Sequence, residues 1–523
     1  MHGDCKRLSD CVRRYAASRP FQPALRFQGR SWSYADLDAL VDSIAKALIA
    51  RGLQAGERVA MLSTPRPEAL VFLLAAARTG LVWSGINPKS TAAELAHVIA
   101  DARPRLILRL STVDPKALEQ SLAMLCDGAK PLPDVLEFGA QDKEELSDSL
   151  NPLLMREHAP ECGAELGRRE FAVDALSPAL LVYTSGSTGQ PKGALLSHFG
   201  LAAGSALQCR HFRVSHPRVI CNLPISHVGA IADICGTTLV AGGTVIFQEK
   251  FSPDDVVEAI ERERVSIWTG VPTMFQTILE RCALDGRDFS SVELALWGGA
   301  AMPLPLVTAL RKLAPRLMTA YGMTETSCHV SFTPEDATDE DLARTVGRID
   351  PDIGWRIVDS SGRICAEDTA GELQVRSNTN FIGYFENPQA TSEAFTPDWW
   401  LRTGDVATAD ATGVIKLVAR MREMFKSGGY NIYPREIEVT LESLPGVAAA
   451  AVVEVADARF GQVGHAFVQP VAGTTLDVAT LMAGLRARLS GYKIPKHIVI
   501  DPALPLLPIG KVDKQQLRDR ASH

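Results

Sequence analysis

The chain has 523 residues, 46% hydrophobic and 22% charged, so it has ample apolar material for a core but too much length for one compact domain. Its 54 basic and 61 acidic side chains give a net charge of −7, which argues against a nucleic-acid-binding protein because such proteins present a basic face. The ten cysteines form no C-x-x-C pair, which excludes zinc-knuckle and thioredoxin-type sites and favours free thiols in a reducing cytoplasm.

The N-terminal segment and the longest apolar run bear on membrane targeting. Residues 1–15 carry charges throughout and lack an apolar stretch, so we expect no secretory signal. Residues 69–77 are the longest strongly apolar run, only about half of the ~20 residues that a membrane helix needs. The sequence therefore predicts a buried core helix there and no membrane span.

Strands alternate with helices along the first part of the chain, which predicts an α/β fold. The predicted elements are a helix at 33–52, strands at 58–62 and 106–109, a helix at 67–78 and a strand at 180–183. Alternation continues past residue 330. Residues 127–175 are polar and read as an irregular surface connection.

The pattern of predicted elements changes after Gly371, where short strands are predicted at 372–376 and 414–417. The elements predicted beyond them are a helix at 434–444, a strand at 448–455, a helix at 476–489 and a strand at 498–500. This string predicts a separate small α+β domain at the C-terminus, following a large N-terminal domain with mixed α/β layers.

The most informative segment is residues 183–193, Tyr-Thr-Ser-Gly-Ser-Thr-Gly-Gln-Pro-Lys-Gly, which directly follows an apolar strand. Glycines let backbone N–H groups converge on an anion, hydroxyls add donors, and Lys192 adds a positive charge. The segment is not a Walker A loop, because Lys192 is followed by Gly193 rather than by Ser or Thr. We interpret it as a cradle for phosphates.

This segment resembles the phosphate loop of the adenylate-forming superfamily, which includes acyl-CoA synthetases, peptide-synthetase adenylation domains and beetle luciferases. Ordered matches run from about Ser33 to Lys514. The resemblance implies an N-terminal adenylating domain at 1–420, which binds ATP and the carboxylate. It also implies a mobile C-terminal domain at 421–523, which carries a catalytic lysine and a coenzyme A tunnel, with the active site between the two.

The resemblance implies roles for two groups of residues around ATP. Residues matching the loop that holds the β- and γ-phosphates are Thr184, Ser185, Gly186, Ser187, Thr188, Gly189 and Lys192. In a second segment, Thr324 matches the residue that contacts the α-phosphate, Glu325 the Mg²⁺ ligand, and Tyr321 the aromatic residue on adenine. The residues that match the walls of the adenine and acyl pockets are Gly298, Gly299, Ala300 and Gly322. A hard oxygen ligand such as Glu325 suits Mg²⁺.

The later matches concern the ribose, the hinge and the C-terminal domain. Asp405 matches the residue that binds both ribose hydroxyls, Arg420 assists it, and Arg422 occupies the hinge position, where Asp or Lys is more usual. Lys511, preceded by Gly510, matches the lysine that bridges carboxylate and phosphate during adenylation. Residues implied in the pantetheine tunnel are Lys426, Ser427, Gly428 and Gly429. The sequence around Lys511 also resembles a site of regulatory lysine acetylation, which would remove the charge.

The segment Pro224-Ile-Ser-His227-Val-Gly229 matches the motif that borders the substrate carboxylate, and His227 replaces the bulky aromatic residue of many relatives. Peptide-synthetase domains usually carry an Asp just after this region, which pairs with the ammonium group of the amino acid. In this sequence Asp233 does not occupy the matching position. This favours a simple carboxylic acid over an α-amino acid. Small residues near the motif leave room for an aryl, alicyclic or medium-chain acid, and the sequence does not choose among them.

The function predicted from the resemblance is that of an ATP-dependent acid:CoA ligase. It would form an acyl-adenylate with release of pyrophosphate, then an acyl-CoA with release of AMP, using ATP, Mg²⁺ and coenzyme A. No carrier domain follows Lys514, which favours free CoA as acceptor. The alternatives are an adenylase that loads a carrier protein, an inactive nucleotide-binding homologue, and a luciferase-type oxygenase. A homodimer is compatible with this organisation.

Overall fold

The structure is a computed structural model that describes residues 5–126, 131–139, 145–154, 161–184, 191–427, 430–507 and 511–521. The strands of these ranges are β1 Pro23–Phe27, β2 Arg30–Ser33, β3 Arg58–Leu62, β4 Val82–Ile86, β5 Leu106–Leu110, β6 Asp134–Phe138, β7 Pro178–Thr184, β8 Lys192–Ser197, β9 Arg218–Cys221, β10 Thr244–Phe247, β11 Ile267–Gly270, β12 Leu294–Gly298, β13 Leu317–Gly322, β14 His329–Phe332, β15 Arg348–Ile349, β16 Gly354–Val358, β17 Gly371–Arg376, β18 Gly383–Tyr384, β19 Leu401–Ala409, β20 Ile415–Arg420, β21 Phe425–Ser427, β22 Tyr430–Ile432, β23 Val447–Asp457, β24 Gly461–Pro470 and β25 His497–Ile500.

The α-helices of the same ranges are α1 Leu8–Ser18, α2 Tyr34–Ala50, α3 Pro67–Thr79, α4 Ala92–Ala102, α5 Lys116–Met124, α6 Leu146–Ser149, α7 Asn151–Leu154, α8 Glu161–Ala172, α9 His198–Phe212, α10 Thr237–Val240, α11 Pro253–Arg262, α12 Pro272–Arg281, α13 Leu304–Leu310, α14 Asp339–Arg344, α15 Pro388–Ala394, α16 Pro434–Glu442, α17 Val478–Arg486 and α18 Lys514–Ala521. A π-helix spans Gly229–Gly236, and short 3-10 helices span Thr324–Thr326, Met421–Glu423 and Gly491–Lys493.

Two large sheets form the N-terminal part. One has nine strands in the order β15-β14-β13-β12-β11-β9-β10-β1-β2, and the other has seven in the order β18-β8-β7-β4-β3-β5-β6. Their central strands are parallel, and β1 joins the first sheet by pairing Leu25 with Val245 of β10. Parallel strands covered by helices on both faces are apolar throughout, and every residue of β5 and β10 is buried. This confirms the predicted α/β fold.

The first predicted elements are confirmed within one or two residues. The helix α2 begins after Ser33, whose hydroxyl accepts a hydrogen bond from the N–H of Asp36 while the Asp36 carboxylate accepts from the Ser33 N–H. The strand β3 covers the predicted residues 58–62. All residues of α3 are buried, as expected for a core helix. No helix in the described ranges is long and apolar enough to cross a membrane.

The prediction of an irregular connection at 127–175 is wrong for much of that segment. It contains the edge strand β6 and the twelve-residue helix α8, together with α6 and α7. An edge strand with exposed polar residues shows no apolar run, and α8 buries only Leu166. Helix α8 has only Leu166 and Phe171 as large apolar residues, and β6 is a five-residue edge strand, so neither stands out from the polar sequence around it.

The C-terminal part builds two smaller sheets, β16-β17-β19-β20 and a five-stranded sheet of β21–β25. The second sheet packs with α16 and α17 around a core of its own, formed by Phe425, Ile437, Leu441, Val452 and Val468 among others. The helix α17 is shorter than the predicted 476–489. Strand β20 ends at Arg420 and β21 begins at Phe425, so the predicted boundary at 420/421 lies between two sheets, and it stays a prediction.

A glycine brings the two large sheets together beside the site. Gly85 lies in β4 of the seven-stranded sheet. A Cβ built on it would collide with the carbonyl oxygen of Ile225, which lies in the loop after β9 of the other sheet. The absence of a side chain at Gly85 therefore sets how closely β4 approaches the loop that carries His227.

Candidate active site

The site is built on the carboxyl ends of two neighbouring parallel strands. Gly298, the last residue of β12, pairs with Ala320 of β13, so that Gly298, Tyr321 and Gly322 lie at one edge of the sheet. Clefts at such edges are where α/β sheets bind ligands. A Cβ on Gly322 would collide with the carbonyl of Cys328, so the turn after β13 requires glycine. Gly299 and Ala300 are exposed and continue the edge as an open surface.

One corner of the site joins Asp405, Arg420 and Tyr321. Asp405 and Arg420 are direct partners on the antiparallel strands β19 and β20, and Arg420 Nε lies 2.8 Å from Asp405 Oδ1. The hydroxyl of Tyr321 donates to Asp405 Oδ2 at 2.6 Å. Strand register thus places Asp405 beside Arg420, and the Tyr321 hydroxyl reaches Asp405 from the nine-stranded sheet. The Asp405 carboxylate is 4% exposed at the bottom of the corner.

Charges in this corner are strongly coupled. Burial raises the pKa of Tyr321 well above its usual value, and the neighbouring Asp405 carboxylate raises it further. Burial acts to lower the pKa of Arg420, but the negative charge of Asp405 outweighs it and the pKa is raised. The corner therefore presents the Asp405 carboxylate beside the Arg420 guanidinium, and the phenol of Tyr321 stays protonated as a hydrogen-bond donor to the carboxylate.

The phosphate loop starts and ends on a β-hairpin. Thr184 at the end of β7 pairs with Lys192 at the start of β8, which fixes the two ends of the predicted loop opposite each other. Ser185, Gly186, Ser187, Thr188 and Gly189 lie outside the described residues.

Tyr384 is a site residue that sequence reasoning missed. Its hydroxyl donates to Glu325 Oε1 at 2.7 Å, and the Lys192 ammonium lies 5.4 Å from its ring centroid. Tyr384 reaches this place because β18 pairs with β8, opposite Ala194. Tyr384 therefore lies between Glu325, the predicted metal ligand, and Lys192 of the predicted phosphate loop. No local pattern in the sequence indicates that Tyr384 belongs to the site.

Glu325 fits the expected Mg²⁺. It lies with Thr324 in the buried 3-10 turn after β13, and Phe381 N–H binds the Glu325 carbonyl at 2.8 Å. Among the described residues no group of three acidic, His or Cys side chains could hold a metal. A single carboxylate suits Mg²⁺, because this ion keeps waters and substrate phosphate oxygens in most of its octahedral shell.

His227 is held as a neutral imidazole. The N–H of Gly229 donates to His227 Nδ1 at 3.0 Å, so the ring proton must be on Nε2. Burial, then the positive charges of Lys511 and His329, lower the pKa of His227 to about 4. This predicted residue therefore offers a hydrogen-bond donor and no charge at neutral pH.

Lys511 of the C-terminal segment reaches the same edge of the sheet. Its ammonium lies 3.7 Å from a Cβ built on Gly299, and its Cε lies 3.2 Å from the same point. A side chain at position 299 would crowd the lysine, and Gly299 also has a φ of +80° that favours glycine. The structure thus brings Lys511, Gly299 and His227 together from three distant parts of the chain.

The residues expected to bind CoA lie elsewhere. Lys426 is exposed in β21, and Gly428 and Gly429 are outside the described residues. Ser427 lines a cleft of about 100 Å³ in the C-terminal sheet, with Phe460, Tyr492 and Lys496. Arg422 lies in the short 3-10 helix between β20 and β21, where a hinge between the two sheets would be, although its side chain is not described.

Comparison with known proteins identifies the family. The model of the AMP-binding enzyme family matches residues 12–385, more than half of the chain, and that of the AMP-binding enzyme C-terminal domain matches residues 436–511. This chain belongs to the AMP-binding enzyme family. The superfamily expected from the phosphate loop is thereby confirmed.

Members of this family with known names match the chain over nearly its full length. A feruloyl-CoA synthase from Amycolatopsis is 34% identical, with 97% of each chain covered. An indoleacetate–CoA ligase from Aromatoleum aromaticum is also 34% identical, over 98% of this chain and 97% of the relative. The crystal structure of ATP-bound MatB from Rhodopseudomonas palustris is 29% identical, with a TM-score of 0.85 over 98% of each chain.

These matches confirm several predictions about this AMP-binding enzyme. The fold class, the acyl-CoA synthetase type, an AMP-forming ligase that makes a carbon–sulfur bond, and ATP with CoA as co-substrates all agree with them. The roles of individual site residues stay predictions.

Proposed function

We propose that this enzyme activates an aryl, alicyclic or medium-chain carboxylic acid with ATP and transfers the acyl group to CoA. The observation that carries the proposal is the position of Lys511. Its ammonium lies against Gly299, beside the neutral His227 and at the sheet edge that holds Tyr321. A carboxylate and a triphosphate repel each other, so a cation at their meeting point stabilises the transition state.

In the first step a carboxylate oxygen of the acid forms a bond to the α-phosphorus of ATP. The bond from that phosphorus to the bridging oxygen breaks, and pyrophosphate leaves with the electron pair. Lys511 would bridge the carboxylate and the α-phosphate, with Thr324 as a further donor. Lys192 and the loop 184–189 would hold the departing phosphates. Mg²⁺, when bound to Glu325, would neutralise charge on the phosphate oxygens.

The ribose of ATP would lie in the corner formed by Asp405. A buried carboxylate can accept hydrogen bonds from two neighbouring hydroxyls, and the Arg420 guanidinium pairs with this one. Tyr321 would contribute its ring to the adenine while its hydroxyl holds Asp405. This arrangement would orient the nucleotide with its α-phosphate towards Lys511 and Thr324.

In the second step the thiol of CoA loses its proton and attacks the acyl carbon. The carbon–sulfur bond forms, the bond from carbon to the phosphate oxygen breaks, and AMP leaves. For this step the C-terminal domain would rotate about Arg422, which removes Lys511 and presents Lys426, Ser427, Gly428 and Gly429 to the pantetheine chain. The two-step chemistry thus uses two faces of one small domain.

The overall reaction is tested with ATP, Mg²⁺ and CoA and a panel of aryl, alicyclic and C4 to C12 acids, following AMP and acyl-CoA by mass spectrometry. We expect CoA-dependent acyl-CoA from one class of acid. An adenylate trapped by hydroxylamine, without acyl-CoA, would identify an enzyme that loads a carrier protein instead. ATP binding without turnover of any acid would refute the proposed activity.

Replacing Lys511 by alanine separates the two steps. We expect Lys511→Ala to lower the rate of adenylation by roughly 10²- to 10³-fold, because a charge aimed at the transition state is lost. Conversion of a chemically prepared acyl-adenylate to acyl-CoA should change less than about threefold, since Lys511 has no role there. Isotope exchange between pyrophosphate and ATP measures the first step, and acyl-CoA formation measures the second.

The control for this experiment is Lys312→Ala, which removes an exposed lysine next to α13. It should leave both steps unchanged. Equal losses of both steps in Lys511→Ala would contradict the assignment.

Three further features belong to the proposal. Acetylation of Lys511 would silence adenylation by removing the same charge, and a fully active acetylated enzyme would disprove this. A cytoplasmic location is supported by the ten cysteines, all free thiols. A homodimer is proposed without a defined interface, and light scattering during gel filtration would test it.

A further inference from the structure

The side chain of Tyr384 contacts two residues that the proposed function places on ATP. Its hydroxyl donates a hydrogen bond to Glu325 Oε1 at 2.7 Å, and the Lys192 ammonium lies over its ring, 5.4 Å from the centroid. An ammonium within about 6 Å of a ring centroid is attracted to the ring. One aromatic side chain thus contacts the expected metal ligand through its hydroxyl and the expected phosphate-binding lysine through its ring.

The backbone of Tyr384 is fixed on both sides. Its strand β18 pairs with β8, and the Phe385 N–H donates to the carbonyl of Gly193, the neighbour of Lys192, at 2.7 Å. The Tyr384 N–H donates to Thr391 Oγ1 at 2.9 Å. A side chain that orients other groups must itself be held in place, and these contacts hold Tyr384.

Glu325 is joined to the same segment through its backbone. The Phe381 N–H donates to the Glu325 carbonyl at 2.8 Å, and the Phe381 ring makes a T-shaped contact with the Tyr384 ring, with 5.0 Å between the centroids. Glu325 is 7% exposed. A carboxylate buried to this extent needs hydrogen-bond donors, and the Tyr384 hydroxyl supplies one to one of its two oxygens.

We infer that Tyr384 is a positioning residue for ATP and its metal: its hydroxyl orients Glu325 for Mg²⁺, and its ring holds the Lys192 ammonium for the β- and γ-phosphates. Hydrogen-bond partners of metal-binding carboxylates commonly contribute about 10- to 100-fold to metal affinity. An ammonium already held against a ring loses less conformational freedom when a phosphate binds it. The inference deepens the proposed function, on which it rests, and Tyr384 itself makes and breaks no bond.

The first test is Tyr384→Phe, which removes the hydroxyl and keeps the ring. We expect it to weaken the binding of Mn²⁺ to the enzyme saturated with α,β-methylene-ATP by roughly 10-fold, because phosphate oxygens still hold much of the metal shell. Electron paramagnetic resonance of free Mn²⁺ measures this without acid, CoA or turnover. The affinity for AMP in metal-free buffer should stay within about twofold, whereas general damage to the site would weaken both.

The same variant should change the metal dependence of adenylation more than its maximal rate. In isotope exchange between pyrophosphate and ATP, we expect the Mg²⁺ concentration for half-maximal rate to rise by roughly 10-fold in Tyr384→Phe. The rate at saturating Mg²⁺ should fall by less than about threefold, because the groups that contact the reacting atoms are all present.

The second test is Tyr384→Leu, which removes the ring as well. In metal-free buffer, the ratio of the affinities for ATP and AMP measures how strongly the β- and γ-phosphates are held. We expect Tyr384→Leu to lower this ratio by roughly 2- to 5-fold, the effect of one exposed cation–π contact, and Tyr384→Phe to leave it unchanged. A ratio that rises in Tyr384→Leu would show that the ring competes with phosphate for Lys192 and would overturn this part of the inference.

The matched control is Tyr34→Phe, which removes a buried hydroxyl that donates to the Gly243 carbonyl at 2.9 Å. It should change neither Mn²⁺ affinity nor nucleotide affinity. Unchanged Mn²⁺ affinity in Tyr384→Phe would overturn the inference, and this result decides even if Tyr384→Leu does not fold. Failure of every acid to give acyl-CoA would instead refute the ligase activity and leave the binding measurements to decide on Tyr384.

Discussion

The protonation of His227 is fixed by its immediate contacts rather than by solvent pH. The Gly229 N–H occupies Nδ1, and burial together with nearby positive charge holds the pKa at about 4, against an ordinary value near 6.5. Between these two values the unfolded chain binds a proton that the folded chain does not. Folding stability is therefore fully present above about pH 6.5 and is lost as the pH falls towards 4.

This difference predicts a measurable effect of His227→Asn. We expect the free energy of unfolding of the parent to fall between pH 7 and pH 4.5 by about 2 kcal/mol more than that of the variant, which lacks the titrating ring. Urea denaturation at the two pH values measures it. His198, whose pKa is also lowered to about 4 by burial, is present in both proteins and cancels. Equal losses in parent and variant would show that His227 titrates normally.

Candidate site residues could be proposed where the signal was contiguous in the sequence. The loop 183–193 and the segments around Thr324, Asp405 and Lys511 could be recognised, and the described members that make contacts do gather at one sheet edge. Tyr384 could not be found in this way. Its place in the site comes from its hydrogen bond to Glu325, a contact that folding makes between residues 59 positions apart.

At the scale of elements, segments with a continuous or helically spaced set of large apolar residues were predictable, and mostly polar ones were not. Helix α3 is buried at every residue and strand β3 at all but its first, and both were located to within a residue or two. Helix α8 has one buried residue, and β6 is an exposed edge, so neither has a hydrophobic pattern for the sequence to show. The close approach of β4 to the loop after β9 could not be predicted from the sequence either, because it depends on the single residue Gly85.

Replacing Gly85 by alanine tests that approach. The added Cβ would push against the backbone at Ile225 and Ser226, so the loop must shift and carry His227 with it. We expect a loss of stability of about 1–3 kcal/mol and a fall in kcat of tenfold or more. Thermal unfolding and steady-state rates measure both. Gly167→Ala in α8, where a Cβ meets nothing within 4 Å, should stabilise the protein by about 0.4–1 kcal/mol.

At the scale of the whole molecule, Lys514 connects the hinge segment to the C-terminal core. Its ammonium lies 2.6 Å from Glu423, beside the hinge, and 2.8 Å from the buried Glu438. Glu438 also accepts from the N–H of Val452 in the C-terminal sheet. One lysine thus holds the last helix, the hinge segment and the sheet in a fixed relation, three residues from Lys511.

Lys514→Met would leave Glu438 with Arg435 as its remaining charged partner. We expect the C-terminal domain to lose about 3–5 kcal/mol, because one member of a buried ion pair is removed. Hydrogen exchange should accelerate in β23 and β24 and stay unchanged in β3 and β5. Lys416→Met, at an exposed site in β20, is the control. Unchanged exchange in β23 would contradict this role for Lys514.

The pairing of β1 with β10 has a consequence for synthesis on the ribosome. Leu25 is made early but its partner Val245 emerges only after 220 further residues. At about 5–20 residues per second the hairpin of β1 and β2 waits roughly 10–45 seconds before it can join its sheet. During this time its apolar face is a natural target for chaperones, and slow codons between the two strands would lengthen that exposure.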